Sequence, residues 1–401
     1  FLQQIDILNP VGVTEDDKDE YKGECYFLDA YYHFRLLNTY GPIPIVSEMM
    51  DPNITKNEMP GRSHYDACVE YIAKKLDQAA NLLPDKRELS DAGRADATIC
   101  KCIKARILLY AASPLWNGSF YDKSWKNSKY ETPGYGNELV SSQYERKKWE
   151  TALTACQEAF TAADKAGYKL FDIETANSIA EKQKVSLPFI PGKEEDTPEN
   201  ELFKERVRMF QYLVASNESD GNNELIWGVN TKRMGPTDYW PVISQAPRKI
   251  IKTNGTTWHS MSGWSFNAPT LNTVQRFYTE NGKLPADDND FYHKSEWYTR
   301  FYEGTSSPAL ERDDIDKEDV KNDIIKFNAG REARYYAWIA FDGCQYATNI
   351  RDGEPLWLNL KNSATNGYVL NDRNYTGTGF MTKKFMTPDI KYDKTNKVTG
   401  T

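Results

Sequence analysis

The sequence predicts a mainly α fold, built from tetratricopeptide-like helical hairpins and a large irregular, loop-rich portion with a few short strands. Three observations carry this. Apolar residues recur three and four apart in four stretches of the first 170 residues, the signature of one buried helix face. Small residues such as Ala97, Ala105, Ala111 and Ala112 allow helices to approach closely, as stacked hairpins require. From Glu224 onward, Gly, Pro, Ser, Thr and Asn replace helical spacing and surround scattered Trp and Tyr. A single domain over 1–401 is expected, with 1–170 as scaffold and 171–401 as an irregular ligand-binding portion packed on it.

The elements follow in order. Residues 1–23 end in a charged stretch, 14–20, read as a helix entry or a loop. In 24–40, Phe27, Ala30, Tyr31, Phe34 and Leu37 make an aromatic stripe that must pack inside a larger assembly. Gly41 reads as a left-handed cap, and Pro42 and Pro44 then enforce an extended exit through Ile43, Ile45 and Val46. Ser63, with Asp66 three residues on, is expected to cap the next helix. That helix carries Tyr65, Val69, Ile72, Leu76, Ala79 and Leu83 up to Pro84. Residues 95–112 repeat the pattern with Ile99, Ile103, Ile107 and Tyr110, stopped by Ser113 and Pro114. A fourth helix is expected over 143–166, with Trp149, Ala152, Leu153, Cys156, Phe160 and Ala163 on its buried side and Gly167 as its stop. The connection 115–142 is long, aromatic and rich in Gly, Asn and Ser, the texture of a functional loop. Residues 174–200 read as a solvated acidic excursion, 225–229 as a strand, 270–278 as a helix and 334–341 as a β run.

Composition narrows the function. Net charge is −8 and the basic residues form no stripe, which disfavours nucleic acid. No run of 18 apolar residues spans a bilayer, so membrane attachment would come only from a lipid outside this chain. Six cysteines carry no Cys-x-x-Cys spacing and read as small buried hydrophobes. Four scattered histidines suggest no metal cluster, and His33 reads as structural. Motifs for a nucleophile elbow, a phosphate loop, a zinc helix and a dinucleotide turn are missing, so no catalytic residue, metal or cofactor is assigned. The acidic groups at Asp287, Asp288 and Asp290 and at Asp313, Asp314 and Asp316 lack EF-hand spacing and read as solvated loops.

Aromatic content of 13%, with 25 Tyr and 10 Trp, leaves rings over for a surface. Sugars present flat C–H faces rimmed by hydroxyls, which exposed rings and planar amide or guanidinium groups complement. Ligand-binding candidates are therefore Tyr239, Trp240, Arg248, Asn254, Trp258 and Trp264, with Trp116 and Asn117. His259, Tyr121 and Trp125 lie in the same stretches.

The run Glu24, Phe27, Leu28, Ala30, Tyr31, Tyr32, Phe34, Leu37, Tyr40, Gly41, Pro44 and Ile45 resembles the signature segment of the SusD/RagB family. Four further segments resemble it in the same order: 94–116, 263–282, 331–343 and 367–384. The resemblance implies a non-catalytic surface lipoprotein of the outer membrane, facing outward and held by its lipid. It implies an oligosaccharide, or in RagB-like members a peptide, as ligand, and a SusC-like TonB-dependent transporter as partner. The family's acylated Cys and N-terminal helices do not precede Phe1, and its closing helices do not precede Thr401, so the chain is expected to be an internal piece. Two competing readings are a helical glycoside hydrolase, which needs two carboxylates facing across a cleft, and a tetratricopeptide adaptor with an open concave face.

Overall fold

A computed structural model of the chain describes residues 1–2, 4–55, 58–228, 245–248, 251–253, 257–259, 263–265, 267–304, 318–351, 353–361, 363, 366–368, 375–392 and 398–399. Two compact units make up the chain: residues 1–169 with 225–230, and residues 170–224 with 231–401.

The first unit holds α1 (Ile5–Leu8), α2 (Glu15–Tyr40), α3 (Tyr65–Ala80), α4 (Ala97–Ala112) and α5 (Arg146–Lys165). Helix α2 starts nine residues earlier than its aromatic stripe suggests, because Thr14 and Asp17 form a reciprocal capping box and three acids occupy its first turn. Its Phe27, Ala30, Phe34 and Leu37 pack into one core with Val69, Ile72 and Leu76 of α3 and Ile99, Ile103 and Ile107 of α4. Gly41, at φ 67°, ends it and donates to the Leu37 carbonyl at 2.9 Å.

Three expectations in this unit are corrected. Ser63 does not cap α3. His64 does, through Nδ1 accepting from the Asp66 N–H, while Asp66 turns away to take Lys148 Nζ at 2.7 Å and the Ser141 hydroxyl at 2.6 Å. The buried side of α5 is Ala152, Ala155, Ala159 and Ala162, whereas Trp149, Leu153, Cys156 and Phe160 are exposed. Ala155 and Ala159 meet Ala105 of α4, and so close an approach has no room for the larger stripe. Residues 225–228 form no strand. Trp227 plugs the edge of α2 instead, edge-on to Phe27 at 5.4 Å and Tyr31 at 5.1 Å, and donates its indole N–H to Gly93.

The second unit contains α6 (Ile173–Gln183), α7 (Pro198–Ala215), α8 (Leu271–Gln275) and α9 (Ala333–Trp338). Among its described residues are four separate antiparallel pairs: Ile251–Thr253 with Thr257–His259, Ile339–Phe341 with Phe380–Thr382, Gln345–Arg351 with Glu354–Trp357, and Lys391–Tyr392 with Val398–Thr399. The stretch 174–200 is no solvated excursion. Asp172 caps α6, whose Ala176, Ile179 and Ala180 are buried, and Thr197 with Pro198 opens α7. Nor is 334–341 a continuous β run: it is α9 followed by a three-residue strand. Here tertiary contacts override the β propensity of Tyr and Trp. The Tyr335 hydroxyl donates to the Asn328 side chain, the Tyr336 hydroxyl to the Asn328 carbonyl, and Trp338 to the Phe210 carbonyl.

Arg331 anchors this unit. Fully buried, it donates to the carbonyls of Val274, Phe277 and Phe327 at 2.9–3.0 Å, with its guanidinium 4.4 Å from the Tyr335 ring centre. Of the cysteines, Cys68, Cys100 and Cys344 are buried, while Cys25 and Cys102 are half-buried. No described helix is long and apolar enough to cross a membrane.

Candidate functional site

The 115–142 connection is folded onto the first unit by polar contacts. The first N–H groups of α3 need acceptors. The loop supplies them: His64 N–H donates to the Thr132 hydroxyl and Tyr65 N–H to the Leu139 carbonyl, both at 2.9 Å. Asn127 donates to the Arg62 carbonyl, and the Tyr135 hydroxyl to Glu70. The root of the loop is held by Asn117, whose amide spans the end of α4 and the start of α5. It accepts from Glu145 N–H at 2.7 Å and donates to the Ala112 and Glu145 carbonyls. Gly118, at φ 92°, must follow, because a Cβ there would lie 2.6 Å from the Tyr144 nitrogen.

So anchored, the loop sets its rings into a column. Trp116 lies face to face with the buried Tyr65, centroids 4.0 Å apart and planes within 7°. Phe120 follows Trp116 at 5.4 Å and 20°, and Trp125 follows Phe120 at 5.4 Å and 21°. Tyr121 leans on Phe120 at 4.6 Å and is 88% exposed. The Trp116 carbonyl accepts from Lys148 Nζ at 3.2 Å, so the Lys148–Asp66 pair also braces the column. Burial holds the His64 imidazole below its ordinary pKa, keeping it neutral as the cap of α3.

Tyr40, Gly41, Trp116, Phe120, Tyr121, Asp122 and Trp125 line an open cleft of about 280 Å³. The distal edges of the Trp116 and Trp125 indoles converge on Gly41, each 3.4 Å from where a Cβ would stand. Arg62 braces the Tyr40–Pro42 segment, donating to the Tyr40 and Pro42 carbonyls with its guanidinium 5.8 Å from the Trp125 ring centre. Asp122 spends Oδ1 on the Ser124 N–H and hydroxyl. Among the described residues, no partner is seen for Asp122 Oδ2, the Trp116 and Trp125 indole N–H groups, or the Tyr40 and Tyr121 hydroxyls. The cleft therefore combines ring surface with unspent donors, two hydroxyls that also accept, and one carboxylate oxygen, which suits a neutral, hydroxyl-rich ligand.

The predicted site residues are distributed as follows. Trp116 lines the cleft, and Asn117, 2% exposed, positions it from behind. Arg248 is buried in the second unit and donates to the Ser363 and Gly367 carbonyls. Trp264 is half-buried, and the backbone of Trp258 pairs with Lys252 in the hairpin Ile251–Thr253/Thr257–His259. Tyr239, Trp240 and Asn254 lie outside the described residues. So do Asp313, Asp314 and Asp316, whereas Asp288 accepts from Thr279, Asn281 and the Asp290 N–H as the hub of a turn. Among the described residues, no His, Cys, Asp or Glu group is gathered to hold a metal. Sequence reasoning missed Tyr40, Gly41, Phe120 and Asp122. Tyr40 lies off the buried stripe of α2, and only the fold brings Gly41 against the two indoles.

Fold and cleft together define a helical-hairpin protein bearing an aromatic surface cleft. A family model described as starch-binding and associating with the outer membrane matches residues 2–102, and the SusD family model matches 223–401. Two solved structures of BT4246 are 42% identical, with TM-scores of 0.84 and 0.86, over 100% of this chain and 62% of that one. The chain thus spans less than two thirds of BT4246. A SusD-like protein from Bacteroides fragilis NCTC 9343, BF3747, shares the fold at TM-score 0.59 and 18% identity, over 98% of this chain and 56% of its own. A SusD-like carbohydrate binding protein from the same strain, BF0978, does so at 0.52 and 13%, over 96% and 52%. No curated protein matches the chain. This chain belongs to the SusD/RagB family.

Proposed function

We propose that the protein binds glycan oligosaccharides at the cell surface without transforming them and hands them to a SusC-like TonB-dependent transporter, held to the outer membrane by a lipid outside this chain. The observation that carries the reading is the braced column of Trp116, Phe120 and Trp125 beside the open rings of Tyr40 and Tyr121. Rings held at fixed angles lose little entropy when a sugar face covers them. A glycosidase needs two carboxylates roughly 5–10 Å apart across the substrate, and among the described residues Asp122 is the one carboxylate lining this cleft. The family's general association with the outer membrane supports the location and the transporter.

Affinity electrophoresis against glycan and peptide panels tests the site. Trp116→Ala and Trp125→Ala each remove an aromatic contact worth about 2 kcal/mol, or roughly thirtyfold in affinity. Trp258→Ala and Trp264→Ala, run beside them, test whether the proposed second patch (Tyr239, Trp240, Arg248, Asn254, Trp258 and Trp264) also touches ligand. Retention unchanged in folded Trp116 and Trp125 variants removes the cleft, and retention by peptides alone replaces the sugar.

A further inference from the structure

The join between the 115–142 connection and α3 passes through a buried histidine. His64 is 2% exposed, and its Nδ1 accepts from the Asp66 N–H at 3.1 Å to cap α3. Its ring lies flat on Tyr135 of the connection, centroids 4.1 Å apart and planes within 10°. Its own backbone N–H donates to the Thr132 hydroxyl at 2.9 Å, and the Val140 backbone hydrogen-bonds the imidazole. The next residue, Tyr65, donates its N–H to the Leu139 carbonyl and stacks its ring on Trp116.

The cap requires a neutral ring. An Nδ1 that accepts from a backbone N–H must present a lone pair, and a proton there sets two donors against each other. A charged ring in this place would also be buried, which is costly without a compensating partner. The charged groups around it are Asp66 on α3, Lys148 on α5 and Glu138 on the connection, with Glu70 of α3 reached through the Tyr135 hydroxyl. Asp66 Oδ2 stands 3.8 Å from Nδ1, but both Asp66 oxygens already take Lys148 Nζ at 2.7 Å, and Oδ2 also takes the Ser141 hydroxyl. Drawing Asp66 to an imidazolium would cost it Lys148, whose ammonium also holds the Trp116 carbonyl. Both routes loosen the connection: either the ring leaves its place, or the Lys148 brace does.

We propose that His64 is a proton-operated latch: taking up a proton at Nδ1, it gives up the cap of α3 and releases from that helix the 115–142 connection, which carries Trp116, Phe120 and Trp125. Burial, the largest influence on the ring, holds its pKa below the ordinary value and Lys148 adds to this, whereas Asp66, the Val140 backbone and Glu138 pull the other way. A closed-state pKa below the free value of about 6.5 means that the opened form binds the proton first. The latch therefore stays shut at neutral pH and gives way as pH falls below about 6.5, the open fraction rising by up to about tenfold per pH unit. It does not depend on what the cleft binds.

Hydrogen exchange of the full chain, read by mass spectrometry between about pH 7.5 and 5 and corrected for the intrinsic pH dependence of exchange, tests it. Peptides covering 127–142 should lose protection several-fold as pH falls through about 6, while those covering α4 hold theirs. His64→Asn keeps a capping oxygen that does not titrate and leaves Asp66, Glu70 and Glu138 in place, so its connection should stay protected across the range. Should that variant fail to fold, the imidazole carbon signals of the wild type decide: one of the four histidines should titrate below about 6.5, in step with the loss of protection. Wild-type protection of 127–142 that does not change with pH overturns the proposal. So does a folded His64→Asn chain that loses protection to the same extent, or a wild type in which all the histidines titrate at or above about 6.5.

Discussion

The cleft of the first unit and the surroundings of Arg331 in the second treat the same residue types in opposite ways. In the cleft of the first, Tyr65, Trp116, Phe120 and Trp125 stack nearly parallel, at 7–21° between neighbours, and end in open tyrosines. Around Arg331 in the second, Phe277, Tyr335, Tyr336 and Phe203 meet edge to face, at 72–82°. Buried cations differ as well. In the first unit they pair with carboxylates, Lys148 with Asp66 at 2.7 Å and Arg87 with Glu20 and Glu24. In the second, Arg331, Arg248 and Arg208 are spent on backbone carbonyls and amides. Helices satisfy their own backbone, so side chains there are left to pair with one another. An irregular chain strands carbonyls in its interior, and buried guanidiniums are the donors that serve them.

If that contrast is right, the second unit fails most severely at its central donor. Arg331→Met leaves the carbonyls of Val274, Phe277 and Phe327 buried without donors. It should cost about 3–5 kcal/mol in urea unfolding. A loss below about 1 kcal/mol would mean that water replaces the guanidinium and that the carbonyls do not depend on it.

A smaller effect depends on pH. Burial pushes the Asp342 carboxyl up to about 6, although Lys361 Nζ stands 3.3 Å from Oδ2 and the Leu360 N–H donates to Oδ1. A folded pKa above the unfolded value means that the native state holds the extra proton between about pH 4 and 6. Asp342 therefore subtracts stability as pH rises through that window, by on the order of 2–3 kcal/mol once past it. Asp342→Asn should gain on the wild type from pH 4 to 7 and stay level above. Urea midpoints that differ by the same amount at every pH would refute this.

What the sequence disclosed follows the same division. Helices α2, α3 and α4 were legible because their apolar residues fall three and four apart and each stripe is the one buried. Helix α5 was legible as a helix but its buried face was not. Following the largest apolar residues selects Trp149, Leu153 and Phe160, while the face that packs is the alanine stripe 152, 155, 159 and 162. In the second unit, α6 was hidden by its charged surface and α9 by its aromatic residues, whose helical form depends on Asn328, seven and eight residues back, and on Phe210, 128 residues away. In the cleft, Trp116, Tyr121 and Trp125 were readable from an aromatic loop too long to be a mere connector. Asn117 was readable as important but not as a clamp, because its partner Glu145 is 28 residues away. Gly41 carried a signal for its backbone and none for the indoles that meet it.

The mildest change isolates display from support. Tyr121 is 88% exposed, meets the column through the Phe120 ring, and has no hydroxyl partner among the described residues. Removing it takes away nothing the fold uses, so Tyr121→Ala should leave stability within about 0.5 kcal/mol. Its open ring is nonetheless the last surface of the stack, where a sugar passing over Phe120 would next lie. Losing one partly covered aromatic should weaken glycan retention by several-fold, less than loss of Trp116, which touches both Tyr65 and Phe120. Tyr121→Phe should recover most of the loss if the ring face makes the contact, and little of it if the hydroxyl does. Should Tyr121→Ala destabilise the fold as much as Trp116→Ala, the column would be core from end to end, and the contrast between a displaying unit and a knitting unit would disappear.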